Sequence, residues 1–184
     1  YNYFRSKEEI LDECYRLGQQ MADDAIAEID RAGGDGLTKL RKLIRAYALL
    51  MTIDFGMCLV RLDDRELSEE AYARVRAEKR QDDLAFRKYI AAGIDDGSIV
   101  ACDPKIAAFA IAGSLNWIGH WYRDGARYSA EEIADQFADL LTGGLAARRG
   151  RAKGGQGKDA GPGLDVTDAR RRTTGPGSRP PSLR

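Results

Sequence analysis

Histidine is almost missing from this 184-residue chain, with His120 the only one. A lone imidazole excludes the paired Glu-x-x-His motifs by which helical bundles hold two irons, and the residue three positions before it is Trp117. Cysteine is scarce as well. Cys14, Cys58 and Cys102 make no CxxC and no metal-ligand spacing, so they read as small apolar groups in a reducing cytosol, and a cytoplasmic location is expected. There is no nucleophile elbow, phosphate loop or zinc-binding run, so we expect neither an enzyme nor a bound cofactor or metal. No signal peptide is recognisable, and no apolar run approaches the length of a membrane span. Nor does any stretch alternate β-branched residues as a strand does.

What is present is charge and helical periodicity. Lysine and arginine number 29, as do aspartate and glutamate, but the balance is local. From Arg148 onward there are ten basic and three acidic residues, which leaves nineteen basic and twenty-six acidic before it. The mildly acidic body is thus a poor nucleic-acid surface. The stretch 148–184 is rich in Gly, Pro and Arg and nearly devoid of large apolar groups, so it is expected to be a disordered basic tail.

Before the tail, apolar residues recur at helical spacing. Residues 6–30 carry Ile10, Cys14, Leu17, Met21, Ala25 and Ile29; Gly33-Gly34-Asp35-Gly36 breaks the pattern. A second helix is expected over about 37–54, with Leu40, Leu43, Ile44, Tyr47, Leu50 and Met51 on one face, followed by a short apolar segment from Phe55 to Leu62. Ser68 opens a long charged helix that stops at Asp96-Gly97. Asp103-Pro104 starts another, apolar around nearly its whole circumference to Tyr122, and so expected to be buried on more than one side. Ser129 and Glu132 form a capping box ahead of the last helix. The fold class expected is all-α.

The opening Tyr-Asn-Tyr-Phe-Arg-Ser-Lys-Glu-Glu resembles the close of the DNA-binding domain in TetR-type bacterial transcriptional regulators, whose pattern is like Leu-Tyr-x-His/Tyr-Phe-x-Ser-Lys-Glu-Glu-Leu. The final two helices are similar to the antiparallel pair through which such regulators dimerise as a four-helix bundle. Asp103 to Arg123, with Asn116-Trp117 and Trp121-Tyr122, together with Tyr128 to Leu141, resembles the branch that governs fatty-acid and steroid-ring breakdown and answers to acyl-CoA thioesters. The resemblance covers about residues 1–146.

It implies three regions: 1–5, the end of a helix-turn-helix recognition helix; 6–147, a ligand-binding and dimerisation domain; and 148–184, the tail. The resemblance begins at the end of the motif, so two of the reader's three helices are expected to lie before Tyr1, and residues 1–184 alone are expected to bind operator DNA weakly or not at all. Tyr1, Tyr3 and Lys7 are expected to touch DNA phosphates, which positions a helix without reading bases. The ligand pocket is expected to include Phe86, Ile90, Trp117, His120 and Trp121, the two tryptophans serving either as tunnel wall or as core and dimer contact. Phe109, Leu115, Ile118, Tyr122, Ile133, Phe137, Leu140 and Leu141 are expected at the dimer interface. The implied function is a ligand-responsive regulator, of repressor type, acting as a homodimer on operator DNA and sensing a hydrophobic small molecule such as an acyl-CoA. The alternative is a helical ligand-binding and dimerisation module that acts without DNA.

Overall fold

The computed structural model describes residues 7–61 and 68–147. Among these residues lie six helices: α1 (Lys7–Ala32), α2 (Gly36–Leu50), α3 (Asp54–Arg61), α4 (Glu69–Asp95), α5 (Pro104–Trp121) and α6 (Ala130–Gly143). The all-α architecture is as expected, and the only sheet-like feature described is an isolated antiparallel bridge between Ile99 and Ala146. Tyr1, Tyr3, the Ser6 cap and the segment 148–184 lie outside the described residues, as does the side chain of Lys7.

The helix starts are set locally. The Asp35 carboxylate accepts from the Thr38 amide at 2.8 Å, Ser68 caps α4, and Asp103 with Pro104 opens α5. At α6 the Glu132 amide donates to Ser129 Oγ at 3.2 Å and the Ser129 amide to Glu132 Oε2 at 2.8 Å, completing the capping box. Each such bond satisfies a backbone donor that the helix itself leaves free.

One boundary differs from expectation. The second helix ends at Leu50 rather than near 54, and the chain turns through 88° into α3. Thr52 Oγ1 donates to the Leu49 carbonyl at 2.7 Å, and a Cβ on Gly56 would fall 1.9 Å from the Leu50 carbonyl oxygen. Only glycine admits that close backbone approach.

The centre of the bundle is α2, which packs against α6, α4, α1 and α5. Its buried residues Leu40, Leu43, Ile44 and Ala48 meet Phe86, Tyr89 and Ile90 of α4, Ile111, Leu115 and Ile118 of α5, and Ile133, Ala134 and Ala138 of α6 in one core. Where α2 begins, its backbone crosses that of α4, since a Cβ on Gly36 would sit 2.1 Å from the Gly93 nitrogen. The α4–α5 loop secures the same end, with the Gly36 amide donating to Asp96 Oδ2 at 2.7 Å and the Leu37 amide to Ser98 Oγ at 3.1 Å. On the outside, Arg41 and Arg45 of α2 reach Asp139 and Asp135 of α6 at 2.5 and 2.6 Å.

Candidate functional site

Small residues make the site. Ala22 and Ala25 of α1 face Ala46 of α2, and the larger side chains around them do not fill the space. A cavity of about 280 Å³ remains between the two helices, walled by Met21, Leu43, Tyr47, Leu49, Leu50 and Ile53 as well. Among the described residues no charged side chain lines it. For scale, an engineered apolar cavity of about 150 Å³ stays dry and takes up benzene. This cavity can therefore receive an apolar group of that size or somewhat larger, by burial rather than by hydrogen bonding.

The polar element at its wall is Tyr47. Its hydroxyl donates to Asn116 Oδ1 on α5 at 3.0 Å, and its ring meets Phe86 of α4 edge-on, 5.6 Å between centroids. One side chain thus links the cavity to α4 and α5.

The helix on the other side, α1, is held at its C-terminal end. Asp30 accepts from Lys88 Nζ at 2.7 Å, Tyr89 Oη at 3.1 Å and Lys39 Nζ at 3.2 Å. Chiefly through the Lys88 bond, these donors hold its carboxyl down at about 2; burial, followed by the Asp30 bond, pushes the Tyr89 hydroxyl up to about 12. Nearer its start, Asp12 pairs with Arg74 of α4 at 3.0 Å. Between these ties α1 leaves Leu17 and Met21 exposed, and Ile10 just before the first of them. The cysteines are free and half-buried; Cys14 of α1 lies against Cys58 of α3, and burial first, then that neighbour, pushes its thiol up.

The five residues expected to form a ligand pocket do not meet in one cavity. Phe86 and Ile90 are fully buried in the core, and Phe86 reaches the cavity only through the Tyr47 ring. Trp117, His120 and Trp121 stand on the outer face of α5, with Trp117 64% exposed and its ring stacked at a tilt 5.0 Å from that of His120. None of the five lines the space between α1 and α2. The residues that do are apolar or small, a signal that periodicity alone does not separate from ordinary packing.

The expected dimer residues divide in the same way. Leu115, Ile118, Tyr122 and Ile133 are buried within the single chain. Phe137 and Leu141 are half-buried against that core, while Phe109 and Leu140 are exposed, Leu140 by 76%. Within the single chain α5 is buried on one side. One stripe, Ala108, Ile111, Leu115 and Ile118, faces the core, and the opposite stripe, Ile106, Phe109, Trp117 and Trp121, lies open in the single chain.

A family model described as the tetracycline repressor-like C-terminal domain matches residues 33–145. The chain belongs to that family. Among solved structures, this TetR-like chain is similar to AibR, captured with isovaleryl coenzyme A and operator DNA, at 22% identity over 77% of this chain and 78% of that one, with a TM-score of 0.64. It is similar also to the ketosteroid transcriptional regulator KstR2 of Mycobacterium tuberculosis, at 20% identity, 79% and 76% coverage and a TM-score of 0.69. PfmR of Thermus thermophilus, a TetR-family transcriptional regulator, is 27% identical over 78% of this chain and 79% of its own, with a TM-score of 0.67. No curated protein matches the TetR-like chain in sequence. No single helix among its described residues is long and apolar enough to cross a membrane.

Proposed function

We propose that residues 6–147 form the effector-binding and dimerisation domain of a cytoplasmic, ligand-responsive transcriptional regulator of repressor type. The observation that carries this reading is the uncharged cavity between α1 and α2. In the family's arrangement α1 is the helix that leads from the DNA reader, so an apolar group entering between α1 and α2 acts on the element that orients the reader. The effector is a hydrophobic small molecule, and an acyl-CoA thioester is the class we favour, by analogy with AibR and its isovaleryl coenzyme A. The ligand shifts the equilibrium only by its difference in affinity for the two arrangements of α1, typically about 1–3 kcal/mol of coupling. This reading needs no catalytic chemistry.

The second element is a homodimer. The exposed stripe of Ile106, Trp117 and Trp121 on α5, with Leu140 of α6, is the surface we assign to it, because exposed large apolar groups gathered on one helix face mark an association site. Native mass spectrometry of the purified chain, followed by extraction and identification of small molecules, tests both elements. A mass of twice 20.3 kDa carrying an acyl-CoA or another apolar adduct is the expected result. A ligand-free monomer would sink the reading, and an empty dimer that takes up no added acyl-CoA would sink its effector half. The remaining reading, a ligand-binding and dimerisation module that acts without DNA, would be favoured if the protein with a complete reader ignored operator sequences.

A further inference from the structure

A second concave region lies between α4 and the first turn of α5, with a volume of about 1030 Å³. Among the described side chains its charge is one-sided: Arg76, Arg80, Arg87 and Lys105 line it with a single carboxylate, Asp83. Ala73 and Ala77, interleaved with Arg76 and Arg80 at the same four-residue spacing, leave the floor open. Arg76 and Arg80 are one turn apart on an exposed helix face, a like-charge pairing that weakens a helix unless an anion bridges it. Asp83 is already engaged by Arg87, yet its second oxygen and the Arg87 Nε are buried without a hydrogen-bond partner. Asp103, the nearest acid at the start of α5, is turned to the backbone amides of Lys105 and Ile106.

We propose that this groove binds a small phosphate-rich ligand of the nucleotide type. Arginines in a cleft focus positive potential, and their planar forks match phosphate oxygens two at a time. The phosphorylated end would lie along Arg76, Arg80 and Arg87. The choice of a nucleotide over inorganic polyphosphate rests on the apolar groups set among the cations. Phe109 is 52% exposed, with Arg87 Cζ 5.5 Å and Lys105 Nζ 5.8 Å from its ring centroid, and Leu84 is exposed beside it. An inorganic chain has no use for them, whereas a base stacks on such a ring. A long nucleic acid is disfavoured because the body outside the groove carries more acidic than basic residues. The proposal does not rest on the α1–α2 cavity, whose lining shares no residue with this groove.

The test is calorimetric titration of the whole chain with ADP, tripolyphosphate and adenosine at low and high salt. ADP is expected to bind more tightly than either of the others, and to weaken as salt rises. The double variant Arg76→Glu, Arg80→Glu is expected to lose about tenfold or more in ADP affinity with unchanged helicity and melting, since both residues are exposed and each bond to an ionised phosphate contributes strongly. Phe109→Ala is expected to weaken ADP and spare tripolyphosphate. Ala25→Leu, which fills the other cavity, is expected to leave ADP binding as it was; that separates failure here from failure of the effector reading. Absence of ADP binding, indifference to the double charge reversal, or displacement of ADP by a short DNA duplex with higher affinity would each overturn the proposal. Equal affinity for ADP and tripolyphosphate would overturn its nucleotide part.

Discussion

The Tyr47 hydroxyl donates to the Asn116 side-chain carbonyl at 3.0 Å, joining a wall of the α1–α2 cavity to the helix that carries Trp117 on its outer face. The bond is part-buried and its donor sits on the most heavily packed helix, so it is the contact through which a ligand in the cavity is expected to act on α5. Tyr47→Phe keeps the ring against Phe86 and removes the hydroxyl that makes this bond. Its expected cost is about 1 kcal/mol in urea unfolding, the usual net value of such a bond. It is also expected to reduce any change in tryptophan fluorescence that an apolar ligand produces. If stability and the fluorescence response both stay at wild-type values, the bond carries neither role.

Filling the cavity separates ligand binding from folding. Ala25→Leu places an apolar side chain where about 280 Å³ is open, so no buried neighbour need be displaced. The expected outcome is unchanged or raised stability, by up to about 1 kcal/mol, together with loss of any bound apolar molecule. Thermal melting and native mass spectrometry of the same preparation check the two halves. A marked fall in melting temperature would show that the space closes up in solution.

The helices were legible because their signals are local. Ser129 with Glu132, and Asp103 with Pro104, place hydrogen-bond partners within a turn of the backbone they satisfy, so composition and spacing suffice. The turn at 51–53 was not, because it depends on Gly56 meeting the Leu50 carbonyl after the chain has folded back. Neither was the cavity. Ala22, Ala25 and Ala46 read identically whether two helices close together or leave a gap, and only the positions of the larger residues around them decide. For α5, periodicity marks an apolar residue but not which apolar stripe its own chain covers. That is why Leu115 and Ile118, buried in their own chain, and the exposed Trp117 read alike in the sequence.

That division yields a contrast between two stripes of one helix. Leu115→Ala removes a fully buried side chain and is expected to cost about 2–5 kcal/mol in denaturant unfolding through the transfer and cavity terms. Trp117→Ala, on the open stripe, is expected to leave chain stability nearly unchanged at concentrations where the chain is monomeric, and to shift sedimentation from dimer to monomer. Leu140→Glu should act in the same sense, as a charge placed on a 76% exposed apolar position. If Trp117→Ala and Leu140→Glu both sediment as tightly as the parent, the open stripe is not the dimer surface.

The Asp30 cluster makes stability depend on pH at both extremes. Asp30 is held at about 2 in the folded chain, first by the Lys88 bond, against an ordinary value of 3.8. A depressed folded value means that the unfolded chain binds the proton more readily. The stabilisation is therefore fully present above about 4 and is lost as pH falls through the window down to about 2. Tyr89 runs the other way. Raised to about 12 from 10.0, it keeps its proton in the folded chain while the unfolded chain releases it, so stability falls as pH rises between those values. Asp30→Asn removes the charge that Lys88 and Lys39 face, and it takes away the carboxylate that raises Tyr89. It is expected to lower stability at neutral pH and to flatten the acid limb of the profile between about 4 and 2. Part of the alkaline slope should survive, because burial is the larger cause at Tyr89. Melting temperatures of the parent and the variant across the pH range measure this directly. Parallel profiles for the two proteins on the acid side would show that Asp30 is as free in the folded chain as in the unfolded one.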